Sequence, residues 1–195
     1  MQLRSDFDAI ANWVETNSSL LDLGCGDGSF LEFIRAKRQA ITYGVEIKDS
    51  AVLACVEKGL NVIQQDLEGG LALFKDQSFD TVVLSQTLQT IHQTERILRE
   101  VVRVGKQCVV SFPNFGHWSH RYAVALGRMP VSKSLPYEWF NTPNVRVLTI
   151  ADFEALAHKL GIEILGRVVL HHGKTVHWLP NLFGSLAIYR VRGAK

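Results

Sequence analysis

Residues 18–31 read SSLLDLGCGDGSFL: an apolar run, an acid, three glycines at alternate positions, and the start of a helical pattern. This order predicts a buried strand, a tight turn and a helix, which together form the nucleoside corner of an open α/β sheet. Glycine suits such a turn because it adopts backbone angles closed to other residues and lets a ligand approach the main chain. The stretch therefore predicts a ligand site where the first strand ends.

The spacing of the glycines distinguishes between the classes of ligand that such a turn can bind. A dinucleotide fingerprint needs a glycine where this chain has Ser29, and a P-loop needs a Lys-Ser/Thr pair that does not follow here. Instead, Gly24, Gly26 and Gly28, preceded by Asp22, resemble the first motif of class I methyltransferases that depend on S-adenosylmethionine (SAM). SAM has no phosphate; its charged amino-acid tail can be accepted by backbone groups and an acid. A glycine-rich turn without a ligand is the alternative.

Two further acids stand at predicted strand ends. Glu46 ends the second strand, 22 residues after Gly24, where an acid accepts hydrogen bonds from ribose hydroxyls in nucleoside-binding α/β folds. Its two oxygens could accept from both hydroxyls, although a solvated strand-end acid is the plain alternative. Asp66 ends the third strand. The resemblance implies that Asp66 binds the adenine amine and that the backbone of Leu67 supplies a donor.

The fourth strand, 79–85, is followed by a second motif. Ser85, Leu88 and Ile91 match a pattern of small-molecule methyltransferases, but Thr90 stands where that pattern has histidine. The Asn/Asp-Pro-Pro-Tyr/Phe motif of nucleic-acid and protein amine methyltransferases is absent, which argues against a base-methylating enzyme. The resemblance assigns no catalytic residue and implies these residues for binding SAM or S-adenosylhomocysteine (SAH): Asp22, Leu23, Gly24, Cys25, Gly26, Gly28, Glu46, Ile47, Asp66, Leu67 and Ser85.

The remaining pattern predicts one domain over residues 1–195. Strand-like runs alternate with helical runs and end in a strand pair, which is similar to a Rossmann-like class I methyltransferase fold. We expect a three-layer α/β/α sandwich with a mostly parallel seven-stranded sheet. The predicted strands lie near 20–23, 41–47, 61–67, 79–85, 107–112, 162–170 and 185–191.

The connection over about 113–146 is too long for a compact α/β unit, and such connections are commonly functional. It carries four of the chain's five prolines, six aromatic residues, four basic residues and one acid. This composition is typical of a binding surface or of a lid over an acyl or amino-acid substrate. A small satellite core is the alternative, and we expect that fate for individual aromatic side chains.

Bulk composition restricts the class of protein. The chain is 47% hydrophobic and 21% charged, with a formal net charge of +2, which does not suggest nucleic-acid binding. No apolar run is long enough to span a bilayer, and the first eight residues hold no apolar signal region. Three widely spaced cysteines fit a reducing cytosol, so we expect a cytoplasmic protein. His117 and His120, and the adjacent His171 and His172, have no cysteine or acid at metal-ligand spacing, so no metal site is predicted.

Over nearly its full length the chain resembles the MetW family of bacterial methionine biosynthesis proteins. The resemblance is carried by residues 20–30, 43–46, 65–67, 85–89, 111–118 and 135–144, of which the last two runs are the most specific. It implies a partner of homoserine O-acyltransferase (MetX) that supports homoserine acylation. The sequence leaves open whether the chain forms a homodimer.

Two functions remain open from the residues. The first is a SAM-binding subunit that docks on the acyltransferase; the second is a SAM-dependent methyltransferase acting on a small-molecule acceptor. An oxygen or nitrogen acceptor usually requires a base, and Thr90 cannot serve as one. His117 and His92 are the alternative bases, and the missing base favours the subunit.

Overall fold

A computed structural model describes residues 6–194. Its helices are α1 (Phe7–Ala11), α2 (Ser29–Arg38), α3 (Asp49–Glu57), α4 (Thr94–Val104), α5 (Trp118–Ala125), α6 (Ile150–Lys159) and α7 (Pro180–Phe183). Its strands are β1 (Ser19–Leu23), β2 (Ile41–Glu46), β3 (Asn61–Gln64), β4 (Phe79–Ser85), β5 (Gly105–Pro113), β6 (Ile162–His171), β7 (Lys174–Thr175) and β8 (Leu186–Gly193). Short 3-10 turns cover Leu67–Gly69 and Leu88–Thr90.

The strands form a single mixed sheet in the order β3-β2-β1-β4-β5-β8-β6-β7. Strands β1 to β5 run parallel, while β8 is antiparallel to both β5 and β6. The carboxyl ends of β1, β2, β3, β4 and β5 therefore meet at one edge, where ligands bind in open α/β sheets.

The prediction of seven strands was wrong by one, because the described residues form eight. The additional strand, β7, has two residues, and its Lys174 pairs with His171 across a two-residue turn. Both turn residues, His172 and Gly173, have positive φ (48° and 77°), as a tight hairpin requires. A two-residue strand is too short to show the alternation from which strands are predicted.

Helices cover both faces of the sheet. Along β1, Leu20 packs with α1, α2 and α3 on one face, while Leu21 and Leu23 pack with α4 and α6 on the other. This alternation is the two-residue period of a strand buried on both faces. The predicted three-layer α/β/α sandwich with a mostly parallel sheet is confirmed.

Local sequence signals set several helix ends. Thr149 and Asp152 form the reciprocal capping box that opens α6: the Thr149 hydroxyl accepts from the Asp152 amide, and the Asp152 carboxylate accepts from the Thr149 amide. Helix α3 is followed by Gly59 with φ of 64°, the left-handed conformation common after a helix.

The long connection, residues 113–146, is called the insertion segment below. It contains helix α5, which begins at Trp118 and ends at Ala125. The end of the segment is bound to the 3-10 turn that follows β4, because the amides of Val145 and Arg146 donate to the carbonyl of Gln89 (2.9 and 3.0 Å). Across residues 6–194, no helix combines the length and the apolar character that a membrane crossing would require.

Candidate functional site

The turn after β1 adopts the left-handed backbone conformation that glycine allows without strain. Gly24, Gly26 and Gly28 all have positive φ, at 79°, 55° and 76°. A Cβ on Gly28 would lie 2.3 Å from Leu60 Cδ1 and 2.9 Å from Cys55 Sγ, so this glycine is required for packing as well as for backbone angle. A Cβ on Gly26 would meet nothing within 4 Å, so this position opens to free space.

Glu46, the last residue of β2, binds the turn directly. Its Oε2 accepts from the Gly26 amide at 2.9 Å, and its Oε1 accepts from the amides of Ile47 (2.9 Å) and Lys48 (3.0 Å). These three backbone donors hold a buried carboxylate in one orientation. A carboxylate offers about four acceptor positions, so about one remains for a ligand hydroxyl.

The prediction that Asp66 ends the third strand was wrong by two residues, because β3 ends at Gln64 and Asp66 instead caps the first 3-10 turn. Its Oδ1 accepts from the Glu68 amide at 2.9 Å, which fixes the side chain at the edge where the carboxyl ends of the parallel strands meet. Leu67 follows as the first residue of that turn. The strand tips of β1, β2 and β3 thus bring Gly24, Glu46 and Asp66 to one hollow.

That hollow is a cavity of about 430 Å³, called the turn cavity below. Its lining contains five of the eleven residues predicted to bind the cofactor: Gly24, Glu46, Ile47, Asp66 and Leu67. The other lining residues are Val45, Lys48, Gln65, Glu68, Gln86, Thr87, Thr90, Ile91, His92 and Pro143. Isoleucine and leucine side chains supply an apolar wall for a base, and carboxylates lie beside it for ribose and amine groups, so the residues fit an adenosyl ligand.

Thr87 closes one end of the turn cavity. Its hydroxyl and methyl lie 2.6 and 2.7 Å from the point where a Cβ on Gly24 would stand. The first glycine of the turn therefore leaves room for a threonine from the loop after β4. The sequence alone does not single out Thr87, Gln65 or Lys48, since no motif marks loop residues that approach the site only through the fold.

The other six predicted residues lie outside this lining. Asp22 is buried within β1 and alternates with Leu21 and Leu23, so it belongs to the face that carries α1 and α2. The Ser85 hydroxyl lies 3.2 Å from Ser111 Oγ in a buried polar contact. The remaining four stand in or beside the turn: Leu23, Cys25, Gly26 and Gly28.

Cys25 packs beneath the turn. Its Sγ lies 4.0 Å from Cys55 Sγ, and both thiols are buried and unoxidised. Burial, then repulsion from Asp22, raises the pKa of the Cys25 thiol far above its usual range. Gly44 of β2 makes room for this thiol, since a Cβ there would lie 2.5 Å from Cys25 Sγ.

Of the two histidines considered as bases, one reaches the turn cavity. His92 lines it, and its Nδ1 lies 3.1 Å from Glu68 Oε1, while the backbone amide of His92 lowers the pKa of that carboxylate. Thr90 also lines the cavity, with its hydroxyl donating to the Thr87 carbonyl at 2.8 Å. His117 lies in a different cavity.

This second cavity has a volume of about 860 Å³ and is called the histidine cavity. It brings together the four histidines that were considered as metal ligands, from the start of α5 and from the β6–β7 hairpin: His117, His120, His171 and His172. The rings of His117 and His171 stack at 4.8 Å with an interplanar angle of 19°. Gln86 lines both cavities and so forms part of the wall between them.

Solved structures with a similar fold define the class. A SAM-dependent methyltransferase from Mesorhizobium loti superposes with a TM-score of 0.73 at 16% identity, covering 97% of this chain and 98% of that one. A SAM-dependent methyltransferase from Thermotoga maritima, described as a possible histamine N-methyltransferase, gives 0.69 at 19% identity and covers 96% and 87%. The fold is therefore that of the class I SAM-dependent methyltransferases.

Sequence comparison identifies the family within that class. The family model of the methionine biosynthesis protein MetW matches residues 4–191. The bifunctional methionine biosynthesis protein MetXA/MetW of Rhodopirellula baltica is 37% identical over 172 residues, which cover 83% of this chain. The chain belongs to the MetW family. It spans 28% of the length of that relative.

Proposed function

We propose that this chain binds SAM or SAH in the turn cavity and acts as a partner subunit of homoserine O-acyltransferase (MetX) in methionine biosynthesis. The observation that carries the partner role is the exposure of large aromatic side chains on the insertion segment. Trp139 is 71% exposed and Phe140 is 69% exposed. Their rings are arranged edge to face, with 5.8 Å between the ring centroids.

The cofactor part of the proposal rests on the turn cavity. Glu46 would accept from one ribose hydroxyl at its remaining position, Asp66 would accept from the adenine amine, and Leu67 would offer its backbone amide. Gly26 would let the ligand approach the main chain, because nothing occupies the space in front of it. When bound, SAM would supply a sulfonium methyl group.

Further large apolar side chains of the insertion segment are exposed. On α5 and at its C-cap, Trp118, Tyr122 and Leu126 follow i, i+4 spacing and are all at least half exposed. The expectation that the segment's aromatic residues would form a satellite core does not hold for these positions. Exposed aromatic clusters with a polar rim are typical of protein interfaces.

The identity of the partner is supported by the Rhodopirellula baltica relative, whose name joins MetXA and MetW in one polypeptide. This chain matches 28% of it, which leaves most of that relative for the other named function. Fusing two proteins raises the effective concentration of one at the other, an advantage when the two act together. Separate chains would need a surface of their own to associate.

Co-purification with a MetX-type acyltransferase tests the proposal. We expect a complex by analytical ultracentrifugation and a higher homoserine acylation rate in its presence. Trp139→Ala should weaken the complex at least tenfold, because exposed tryptophans at interface centres are common hot spots. Trp178→Ala is the matched control: it is equally exposed, at 71%, and lies outside the insertion segment.

Three outcomes would contradict the proposal in distinct ways. No complex would reject the partner role. A complex that both variants retain would reject the insertion segment as the docking surface. Methyl transfer to a pathway metabolite without any complex would favour the alternative, a small-molecule methyltransferase, and His92 at the rim of the turn cavity would then be the base to test.

A further inference from the structure

The histidine cavity lies outside the turn cavity and has no role in the function proposed above. Its walls come from the start of α5, from residues 132–134 of the insertion segment and from the β6–β7 turn. A volume of about 860 Å³ is ample for a small metabolite.

His117 lines this cavity and carries a buried ring nitrogen without a hydrogen-bond partner among the described residues. The residue is 5% exposed and caps α5: its Nδ1 accepts from the Ser119 amide at 3.4 Å and lies 2.8 Å from the Ser119 hydroxyl. An amide can only donate, so Nδ1 is the acceptor and the neutral ring carries its proton on Nε2. Within residues 6–194 this buried Nε2 has no hydrogen-bond partner.

The chemistry of the lining selects an anion. The described lining residues include four histidines, four serines and Lys133, and no carboxylate. The first turn of the eight-residue helix α5 also faces the cavity, with Trp118, Ser119 and His120 in the lining. A helix N-terminus carries partial positive charge, which favours a negatively charged ligand.

A metal ion fits the geometry poorly. The rings of His117 and His171 are nearly parallel, and the lone pairs of stacked imidazoles lie in their ring planes, so they do not converge on one ion. Among the residues that the structure describes, no group of three histidine, cysteine or acidic side chains could hold a metal.

We propose that the histidine cavity binds the oxyanion of a small metabolite, a carboxylate or a phosphate, and that the Nε2–H of His117 donates to it. The bound oxyanion would satisfy the buried donor, with the serine hydroxyls and Lys133 completing its coordination. The proposal stands independently of SAM binding and of the acyltransferase.

Binding should be coupled to protonation. The titratable groups that face His117 are His120 on α5 and His171 and His172 from the β6–β7 turn, with Lys133 in the lining. Burial, then repulsion from His171, lowers the pKa of His117 to about 4. An anion beside the ring stabilises its charged form, so anion binding should raise that pKa and take up a proton.

Histidine-labelled wild-type protein tests this by nuclear magnetic resonance of the ring nitrogens. Succinate and inorganic phosphate are titrated separately, with sodium chloride at matched ionic strength as the control. We expect saturable shifts of the His117 ring with one of the two oxyanions and a titration midpoint raised by at least one pH unit. The arm that saturates at the lower concentration identifies carboxylate or phosphate.

The exposed His158 of α6 is the internal reference and should not respond. His117→Asn keeps an acceptor for the helix cap, but its shorter amide cannot place a donor where Nε2–H stands. It should therefore weaken binding at least tenfold, whereas His158→Asn should not. Shifts no larger than those with chloride, equal shifts at His158, or unchanged affinity in His117→Asn would each overturn the proposal. If His117→Asn does not fold, the wild-type titration decides alone.

Discussion

The carboxylate of Glu46 accepts a hydrogen bond from the main-chain amide of Gly26, with 2.9 Å between Oε2 and the nitrogen. The tip of β2 therefore holds the glycine turn that follows β1. Because the same carboxylate is predicted to bind ribose, its structural and ligand roles must be separated by experiment.

Glu46→Gln replaces one oxygen with an amide group that cannot accept from a backbone N–H. We expect a loss of about 2 kcal/mol in the free energy of unfolding, since charge-assisted hydrogen bonds become neutral and one donor loses its acceptor. Urea denaturation measures this loss. Calorimetry with SAH should show affinity reduced at least tenfold.

Asp66→Asn provides the comparison, because Asp66 accepts from one backbone amide, that of Glu68. We expect a smaller loss of stability and a similar loss of SAH affinity. If both variants bind SAH as the wild type does, the turn cavity is not the cofactor site.

Alanine substitutions at three glycines separate strain, packing and ligand contact. Gly26 and Gly59 both have positive φ and open space where an alanine methyl would stand, so each alanine should cost about 1 kcal/mol from backbone strain. Gly28→Ala should cost about 2 kcal/mol more, because its Cβ would collide with Leu60 and Cys55. Thermal denaturation would rank the three.

The same set tests the cofactor site. Gly26→Ala should weaken SAH binding at least tenfold, whereas Gly59→Ala, beyond α3, should leave it unchanged. Equal affinities in these two variants would mean that no ligand approaches the main chain at Gly26.

His117 makes stability depend on pH in the acid range. Its pKa is lowered from 6.5 to about 4 by burial and by neighbouring imidazoles, so between these values the unfolded chain binds the proton and the folded chain does not. Stability should therefore fall as pH falls from 6.5 to 4, by up to about 3 kcal/mol from this residue. Urea denaturation at pH 7 and pH 4.5 should show a smaller difference in His117→Asn; an identical difference would contradict the assignment.

The sequence predicted those parts of the fold that depend on residues close together along the chain. The glycine turn was predictable because Gly24, Gly26 and Gly28 each permit positive φ, and the start of α6 because Thr149 and Asp152 satisfy each other's amides. The mostly parallel sheet followed from the resemblance to a known fold, whereas the two-residue strand β7 shows no periodic pattern in the sequence.

The candidate sites were predictable only where strand ends define them. Glu46 ends β2 and Asp66 follows the end of its parallel neighbour β3, so their convergence follows from topology. The contact of Thr87 with Gly24 and the meeting of His117 with His171 join segments far apart in sequence, and no spacing rule encodes them. The exposure of Trp139 could not be predicted either, because the sequence does not show whether an aromatic residue in a long loop is buried or exposed.

The buried thiols of Cys25 and Cys55 give the glycine turn a built-in chemical reporter. A thiol with so high a pKa remains protonated at neutral pH and hardly reacts with alkylating agents while the turn is closed. The alkylation rate would therefore measure how often the glycine turn opens transiently. Slower alkylation with added SAH would measure how strongly the ligand stabilises the closed turn.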